Sequence, residues 1–346
     1  MRVGLLAFLA ALGASSALSA PLPQEAIEAY LGPQQRVEIA PDRSLNLVCM
    51  GSGDRTVLFD AGGSDWSVVW ALVQPVIAGK ARACAYDRAG LGESDAAPGP
   101  RSPFAIVEDL HALIAAAALD PPLILVGHSL GGFNVKLYAA LYPDDVAGLV
   151  LLDPAEDRWW DRTRSWATET YGPRTAARSE LLDQRFIGTL IERYRTCADT
   201  SRAADLDPTS LAYRRCTDPV RPQLGAAIAD TRRRLQTRPA YQQAQSSEVA
   251  FSVYGDDRSD PVYAELFRPN VFGALPLVVL THDEPPTSDP LDQFATEQSL
   301  RLHRETAHLS ERGRHRVITG SGHYIQLDQP AEVVAAIDEI LSALQP

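Results

Sequence analysis

The chain has 346 residues, 45% of them hydrophobic and 22% charged, with a formal net charge of −12 at pH 7. This is ordinary globular composition, long enough for a large core and one appended subdomain. The acidic balance argues against nucleic-acid binding, because the one basic run, Arg232-Arg233-Arg234, reads as a solvated helix face.

Residues 1–20 read as an export signal rather than as part of the fold. Arg2 supplies a minimal positive region, Val3 to Leu12 a short apolar core, and Ala14 to Ala20 a run of small residues suited to cleavage. Pro21 disfavours a cut after Ala20 and leaves cuts after Ala17 or Ser19. The apolar stretch is shorter than the roughly 20 residues that a membrane span takes. The expectation is therefore a periplasmic or secreted protein with no stable membrane span after cleavage. Four cysteines, Cys49, Cys84, Cys197 and Cys216, fit an oxidising compartment. With no C-x-x-C and no histidine at zinc-ligand spacing, no metal site is expected. Pairing by location gives Cys49 with Cys84 and Cys197 with Cys216.

Arg36 to Ile39 and Ser44 to Met50 read as strands joined at Pro41-Asp42. Thr56 to Asp60 is a third strand, running into Ala61-Gly62-Gly63. Ser67 to Ala78 has helical spacing of Val68, Leu72, Val73 and Val76. Ala81 to Tyr86 is a strand. Ala105 to Leu119 is an amphipathic helix with Ile106, Leu110, Leu113 and Ala117 on one face. Leu123 to Val126 is a strand, Phe133 to Tyr142 a helix, and Ala147 to Leu152 another strand. This alternation implies a mainly parallel sheet covered on both faces. It breaks at Pro154. From Asp157 to about Asn270 the chain is polar, arginine-rich and helix-like. Leu275 to Leu280 restores the strand pattern, Leu291 to Ser310 reads as helix, Arg316 to Thr319 as the last strand, and Pro330 to Leu344 as a closing helix. The expected organisation is one α/β core, residues 21–153 and 273–346, with a helical cap, residues 154–272, inserted in it.

The most informative stretch is Gly127-His128-Ser129-Leu130-Gly131. A buried strand leads into it and a helix leads out, so the serine stands at the apex of a sharp turn. Small neighbours let strand and helix approach, and the helix amino terminus lies beneath the hydroxyl. Further motifs follow the same order along the chain. They are Asp60-Ala61-Gly62-Gly63, the run Asp87 to Ser94 (D-R-x-G-x-G-x-S), Leu149 to Asp153, and Gly320-Ser321-Gly322-His323-Tyr324.

On these residues the chain resembles serine hydrolases of the α/β-hydrolase superfamily. The match covers about residues 35–155 and 273–345. The resemblance implies a mostly parallel eight-stranded sheet flanked by helices, and ester cleavage without a cofactor. A neutral serine hydroxyl needs a base to take its proton, and the base needs a carboxylate to hold its tautomer. His323, in a Gly/Ser loop after the last strand, is the expected base. His111 lies on an amphipathic helix, His128 is expected to point away from the nucleophile, and His303, His308 and His315 read as surface residues. The acid is Asp153 or, one strand later, Asp283 or Glu284; the resembled subgroup favours Asp153. The oxyanion donors are the N–H groups of Leu130 and Gly63. Asp87, Arg88, Gly90, Gly92 and Ser94 read as a scaffold turn with an ion pair near the active-site face. Trp66, Trp70, Trp159, Trp160 and Trp166 are candidates for a pocket lining. In the superfamily's sheet the second strand runs antiparallel beside the fourth, which sets Cys49 against Cys84.

The expected partner is a small-molecule ester, or less readily an amide, cleaved through an acyl-serine. Acyl transfer or carbon–carbon bond hydrolysis by the same residues is the enzymatic alternative. A non-catalytic ligand-binding member of the fold is the alternative from another class.

Overall fold

A computed structural model describes residues 22, 24–32, 35–203, 206–283 and 289–345; the expected export segment, residues 1–20, lies outside them. Eight strands form one sheet: β1 Gln35–Ala40, β2 Arg43–Met50, β3 Thr56–Asp60, β4 Arg82–Tyr86, β5 Leu123–His128, β6 Val146–Leu152, β7 Leu277–His282 and β8 Gly313–Ile318. Their order is β1-β2-β4-β3-β5-β6-β7-β8. β2 runs antiparallel to β1 and β4, and every other pairing is parallel. The mostly parallel eight-stranded sheet that the resemblance implies is thus the observed one.

β3, β5 and β6 are buried at every position. Parallel strands covered on both faces have no solvent side, so they read as unbroken apolar runs rather than as alternation. The two faces still separate by strand parity. Phe59, Val126 and Val150 pack with Trp70, Ile77, Val333 and Ile337 on one side. Leu58, Leu125 and Leu149 pack with Leu110, Leu113, Phe133 and Leu137 on the other.

The sequence reading needs three adjustments. Ser67 to Ala78 is not one helix. It is a 3-10 turn, Ser67–Trp70, followed by a short helix, Gln74–Ala78, with Pro75 in its first turn. Proline has no N–H to continue a helix already under way, so it opens a new one. The helix Gln24–Leu31 precedes the first strand and adds to the elements expected from the sequence. The last strand starts at Gly313 rather than Arg316, because it lies at the sheet edge and its burial pattern is only partial.

Between β6 and β7 the described chain forms helices, among them Trp159–Tyr171, Pro173–Ala203, Gly225–Gln236 and Pro239–Phe251. Charged groups join this segment to the sheet half. Buried Arg88 meets Glu248, buried Asp65 meets Arg232 and the partly buried Arg221, and buried Lys136 meets Glu156. Both expected cysteine pairs are joined. Cys49 faces Cys84 across β2 and β4 with Cα atoms 4.1 Å apart, and Cys197 pairs with Cys216 at 5.4 Å. No helix among the described residues is long and apolar enough to cross a membrane.

Candidate active site

Ser129 sits between β5 and the helix Leu130–Leu141, at φ 52° and ψ −119°. A non-glycine residue there carries roughly 1–3 kcal/mol of strain, which the surroundings must hold. They do so by close approach. A Cβ at Gly127 would lie 2.4 Å from the Gly131 carbonyl oxygen, and one at Gly131 would lie 2.4 Å from the carbonyls of Asp60 and Ala61. The Ser129 N–H donates to Leu152 O at 2.9 Å, and its carbonyl accepts from Ala155 N at 2.9 Å and Phe133 N at 3.2 Å. The turn is therefore knitted to the end of β6. Leu130 begins the helix, so its N–H is one of the four that lack an intrahelical acceptor. Gly63 lies beside Leu130 and Ser129 on the same cavity.

Asp153 stands at the tip of β6, also at positive φ (46°), with its N–H donating to Leu280 O at 2.7 Å. His323 donates from Nδ1 to Asp153 Oδ2 at 2.6 Å. His282 donates from Nδ1 to the same oxygen at 2.5 Å, and its backbone N–H reaches Oδ1 at 3.4 Å. Burial by itself would raise the Asp153 carboxyl. The two imidazoles outweigh it and hold the group well below the usual carboxylate range. Asp283 is exposed past the end of β7, and Glu284 lies outside the described residues.

His282 is the residue that sequence reading missed. Leu152 of β6 pairs with Leu280 of β7, so the residues just after each strand are neighbours at the same sheet end. That register, with a histidine at the end of β7, was the available signal.

Two other histidines differ from expectation. His128 does not point away. Its Nε2 bonds the His323 carbonyl at 2.8 Å, and the two rings lie 4.7 Å apart. Burial, with His323 adding to it, lowers the His128 imidazole to about 3. His303 is not on the surface. It is 3% exposed, bonds Pro154 O and Thr281 Oγ1, and sits 3.8 Å from Asp153. Only tertiary packing brings this arm of the helix Pro290–Ala307 against β7. The half-buried His315 meets the Thr281 hydroxyl from the other side at 2.8 Å.

Ser129, Asp153 and His323 open on one cavity of about 120 Å³, together with Gly63 and Leu130. The segment between β6 and β7 supplies its apolar wall: Trp159, Phe186, Ile187, Leu190, Val249 and Tyr254. Of the five tryptophans, Trp159 alone is in this lining. Trp66 and Trp70 are buried in the core, while Trp160 and Trp166 stack on Phe294. A larger groove, about 340 Å³, lies at the amino ends of β7 and β8, and its lining holds no hydroxyl or thiol.

The scaffold reading of the Asp87–Ser94 turn also changes in detail. Asp87 and Arg88 do not pair with each other. Asp87 accepts from Asn46, Ser67 N and Glu93 N, whereas Arg88 reaches Asp60 and Glu248. The donor atoms of Asp153, His282 and His323 lie within 4.8 Å of one another and form the one metal-type grouping among the described residues. A metal could enter only by displacing the protons that both Nδ1 atoms donate to Asp153.

A family model described as "alpha/beta hydrolase fold" matches residues 55–330. Among curated proteins, "Uncharacterized protein YqjL" of Bacillus subtilis (strain 168) is 36% identical over 105 residues, which is 30% of this chain and 42% of that protein. The Homo sapiens "(Lyso)-N-acylphosphatidylethanolamine lipase" is 33% identical over 105 residues, 29% of this chain and 31% of that one. The chain thus spans less than half the length of these relatives. A solved thermophilic esterase from Thermogutta terrifontis superposes with a TM-score of 0.56 at 21% identity, covering 91% of this chain and 100% of that one. At that identity the likeness is one of fold.

Proposed function

The chain belongs to the alpha/beta hydrolase fold family, and from that premise we propose that it is an exported serine hydrolase cleaving carboxylic esters. In this reading Ser129 is the nucleophile, His323 the general base and Asp153 the acid that orients it. Gly63 and Leu130 donate to the oxyanion. Residues 154–272 act as a cap that shapes the acyl or aryl pocket over a core of residues 21–153 and 273–346. The observation that carries the reading is the 2.6 Å bond from His323 Nδ1 to Asp153 Oδ2, made in a cavity that also holds Ser129.

The chemistry follows from those positions. Asp153 accepts the Nδ1 proton, which leaves Nε2 of His323 as the basic nitrogen. Nε2 takes the Ser129 proton as the oxygen attacks the acyl carbon. The carbonyl oxygen becomes negative and is met by the N–H groups of Leu130 and Gly63. Each such donor is worth about 10²–10³ in rate. The proton then passes to the departing alcohol, and water releases the acyl group by the same steps in reverse order. Serine at the turn, rather than aspartate, argues against epoxide opening or dehalogenation. The apolar cavity wall and the partial likeness to a lipase support an ester bearing an apolar group. The two disulfides support export.

A fluorophosphonate should label the protein at Ser129, and Ser129→Ala should abolish labelling and lower kcat on nitrophenyl esters on the order of 10⁶-fold. Labelling that persists in the variant overturns the nucleophile. A labelled wild type that hydrolyses no ester, from acetyl to long acyl chains, overturns the substrate class.

A further inference from the structure

We propose that Arg88, clamped by Glu248 of the helical segment, is the positioning residue of the oxyanion hole, so that the helical segment itself sets the hole's geometry. The inference rests on the serine-esterase reading above.

Arg88 is 1% exposed and Glu248 fully buried. A guanidinium carries five N–H donors in a rigid plane, and here five hydrogen bonds occupy them. Nε donates to Glu248 Oε1 at 2.6 Å and Nη2 to Glu248 Oε2 at 2.8 Å. Nη1 donates to Asp60 Oδ1 at 2.7 Å and to the Ala61 carbonyl at 2.5 Å. The remaining Nη2 proton goes to the Gly62 carbonyl at 2.7 Å. Two of these acceptors are backbone carbonyls of the loop that carries Gly63.

In a planar trans peptide the C=O and the N–H point in opposite directions. The Gly62 carbonyl and the Gly63 N–H belong to one such peptide. Turning that carbonyl onto Arg88 therefore turns the Gly63 N–H away from Arg88. The Gly62 carbonyl is pinned a second time by Asp65 N at 3.1 Å. On its far side Gly63 borders the cavity that holds Ser129. The loop carries no side chain that could aim this donor, since it reads Ala61-Gly62-Gly63. The arginine does so from behind.

The plane of the guanidinium is set in turn by what it pairs with. Asp60 is committed elsewhere as well, accepting from Tyr86 Oη at 3.0 Å and Asn134 Nδ2 at 3.1 Å. Glu248 is the bidentate partner, and bidentate pairing fixes orientation where a single contact does not. Glu248 lies on the helix Pro239–Phe251, which belongs to the segment between β6 and β7. Lysine could not replace Arg88, because a point charge with three donors cannot hold two carboxylates and two carbonyls in one plane.

The test is Glu248→Gln, which keeps an acceptor for the guanidinium, measured beside Arg88→Lys. Both should lower kcat on a nitrophenyl ester about 10–100-fold, up to the loss of one oxyanion donor, with KM within about twofold. Affinity for an arylboronic acid, whose boron oxygen occupies the hole, should fall by the same factor as kcat/KM. The pH profile of kcat/KM should keep its shape, since His323 and Asp153 are untouched. A folded Glu248→Gln with wild-type kcat, or with a loss confined to KM, overturns the proposal. A purely structural role would lower the melting temperature and leave kcat of the folded fraction intact. Should Glu248→Gln fail to fold, a crystal structure of the wild type with the boronic acid decides. An oxygen bonded to both Leu130 N–H and Gly63 N–H supports the proposal, and one bonded to Leu130 alone sinks it. Wild type that resists fluorophosphonate would bring down the esterase reading itself. Labelled wild type with an equally fast Glu248→Gln brings down only this inference.

Discussion

The sheet half and the helical segment between β6 and β7 are built by different physics. The helix Leu130–Leu141 buries ten of its twelve residues, whereas Pro173–Ala203 buries six of 31. The first is held by apolar area on both sides, which is non-directional and tolerant of exchange. The segment that carries the second touches the sheet half through buried ion pairs, Glu248 with Arg88, Glu156 with Lys136 and Arg232 with Asp65, which are directional and fail if one partner is lost. A segment docked through fixed charges has one seating, so it can present a defined pocket wall with a small core of its own. In the proposed mechanism the sheet half supplies the reacting groups, and the helices supply the wall and the clamp on Arg88.

The sharpest way to break this division is at Asp153, the proposed acid. Asp153→Asn should cost about 10⁴ in kcat, the effect of presenting a triad histidine in the wrong tautomer. Asp283→Asn, at an exposed position, should stay within about twofold. A reversed ranking would move the acid past β7 and take the strand-tip argument with it.

The charged joints come next. Lys136→Met leaves buried Glu156 and Asp157 short of a cation and should destabilise the fold by about 3–5 kcal/mol in urea unfolding. Arg164→Ala removes a pair within the helical segment, Arg164 with Glu180, that is half open to water, and should cost under about 1 kcal/mol. Equal effects would mean that the joints are no different from surface pairs.

A smaller loss is expected from the crosslink inside the helical segment. Cys197→Ser with Cys216→Ser opens a loop closed across 19 positions and should cost about 3 kcal/mol by chain entropy. Fluorophosphonate labelling of the folded protein should stay unchanged, because neither cysteine is among the cavity-lining residues. Labelling lost along with stability would place the crosslink in the site's support.

Acid should act with opposite sign on the buried histidines of the sheet half and on Asp183 of the helical segment. His128 is lowered by burial to about 3, and His303 is lowered by burial as well. Unfolded imidazoles take up protons as pH falls below about 6.5, while these buried ones stay neutral. The unfolded state then binds more protons, and stability drops as pH falls from about 6.5 towards 4. Asp183 in the helical segment runs the other way. Burial pushes its carboxyl up to about 7, so it is protonated in the fold before it is in the unfolded chain, and it favours the fold as pH falls. Comparing His128→Gln with wild type by urea unfolding at pH 6.5, 5.5 and 4.5 isolates the histidine. The variant's slope should be flatter by about 1.4 kcal/mol per pH unit. Parallel slopes would show that His128 is not buried neutral.

Legibility divides along the same line. The turn at Ser129 could be read because Gly127 and Gly131 are the local residues that such a turn requires, and the structure shows what their side chains would strike. Cys49 and Cys84 could be paired because the superfamily resemblance sets the second strand antiparallel beside the fourth, and the observed register puts the two residues opposite each other. His303 and Glu248 could not be placed, and His282 only through the β6–β7 register, since each meets its partners through packing of elements far apart in sequence. His282 meets Asp153 across 129 positions and Glu248 meets Arg88 across 160.

The amino-acid sequence by itself determined the alternation of strand and helix and the strand–turn–helix around Ser129, because those depend on hydrophobic period and local sterics; the strand order that sets Cys49 against Cys84 followed from the superfamily resemblance. Only the tertiary structure decided that Asp153 serves two histidines, that His128 and His303 lie inside, and that a glutamate from the helical segment grips Arg88 behind the Gly63 loop. Those outcomes depend on how charged and polar side chains find buried partners between elements. Neither periodicity nor propensity encodes that choice, because a buried charge is tolerated only where the whole fold supplies its counterpart.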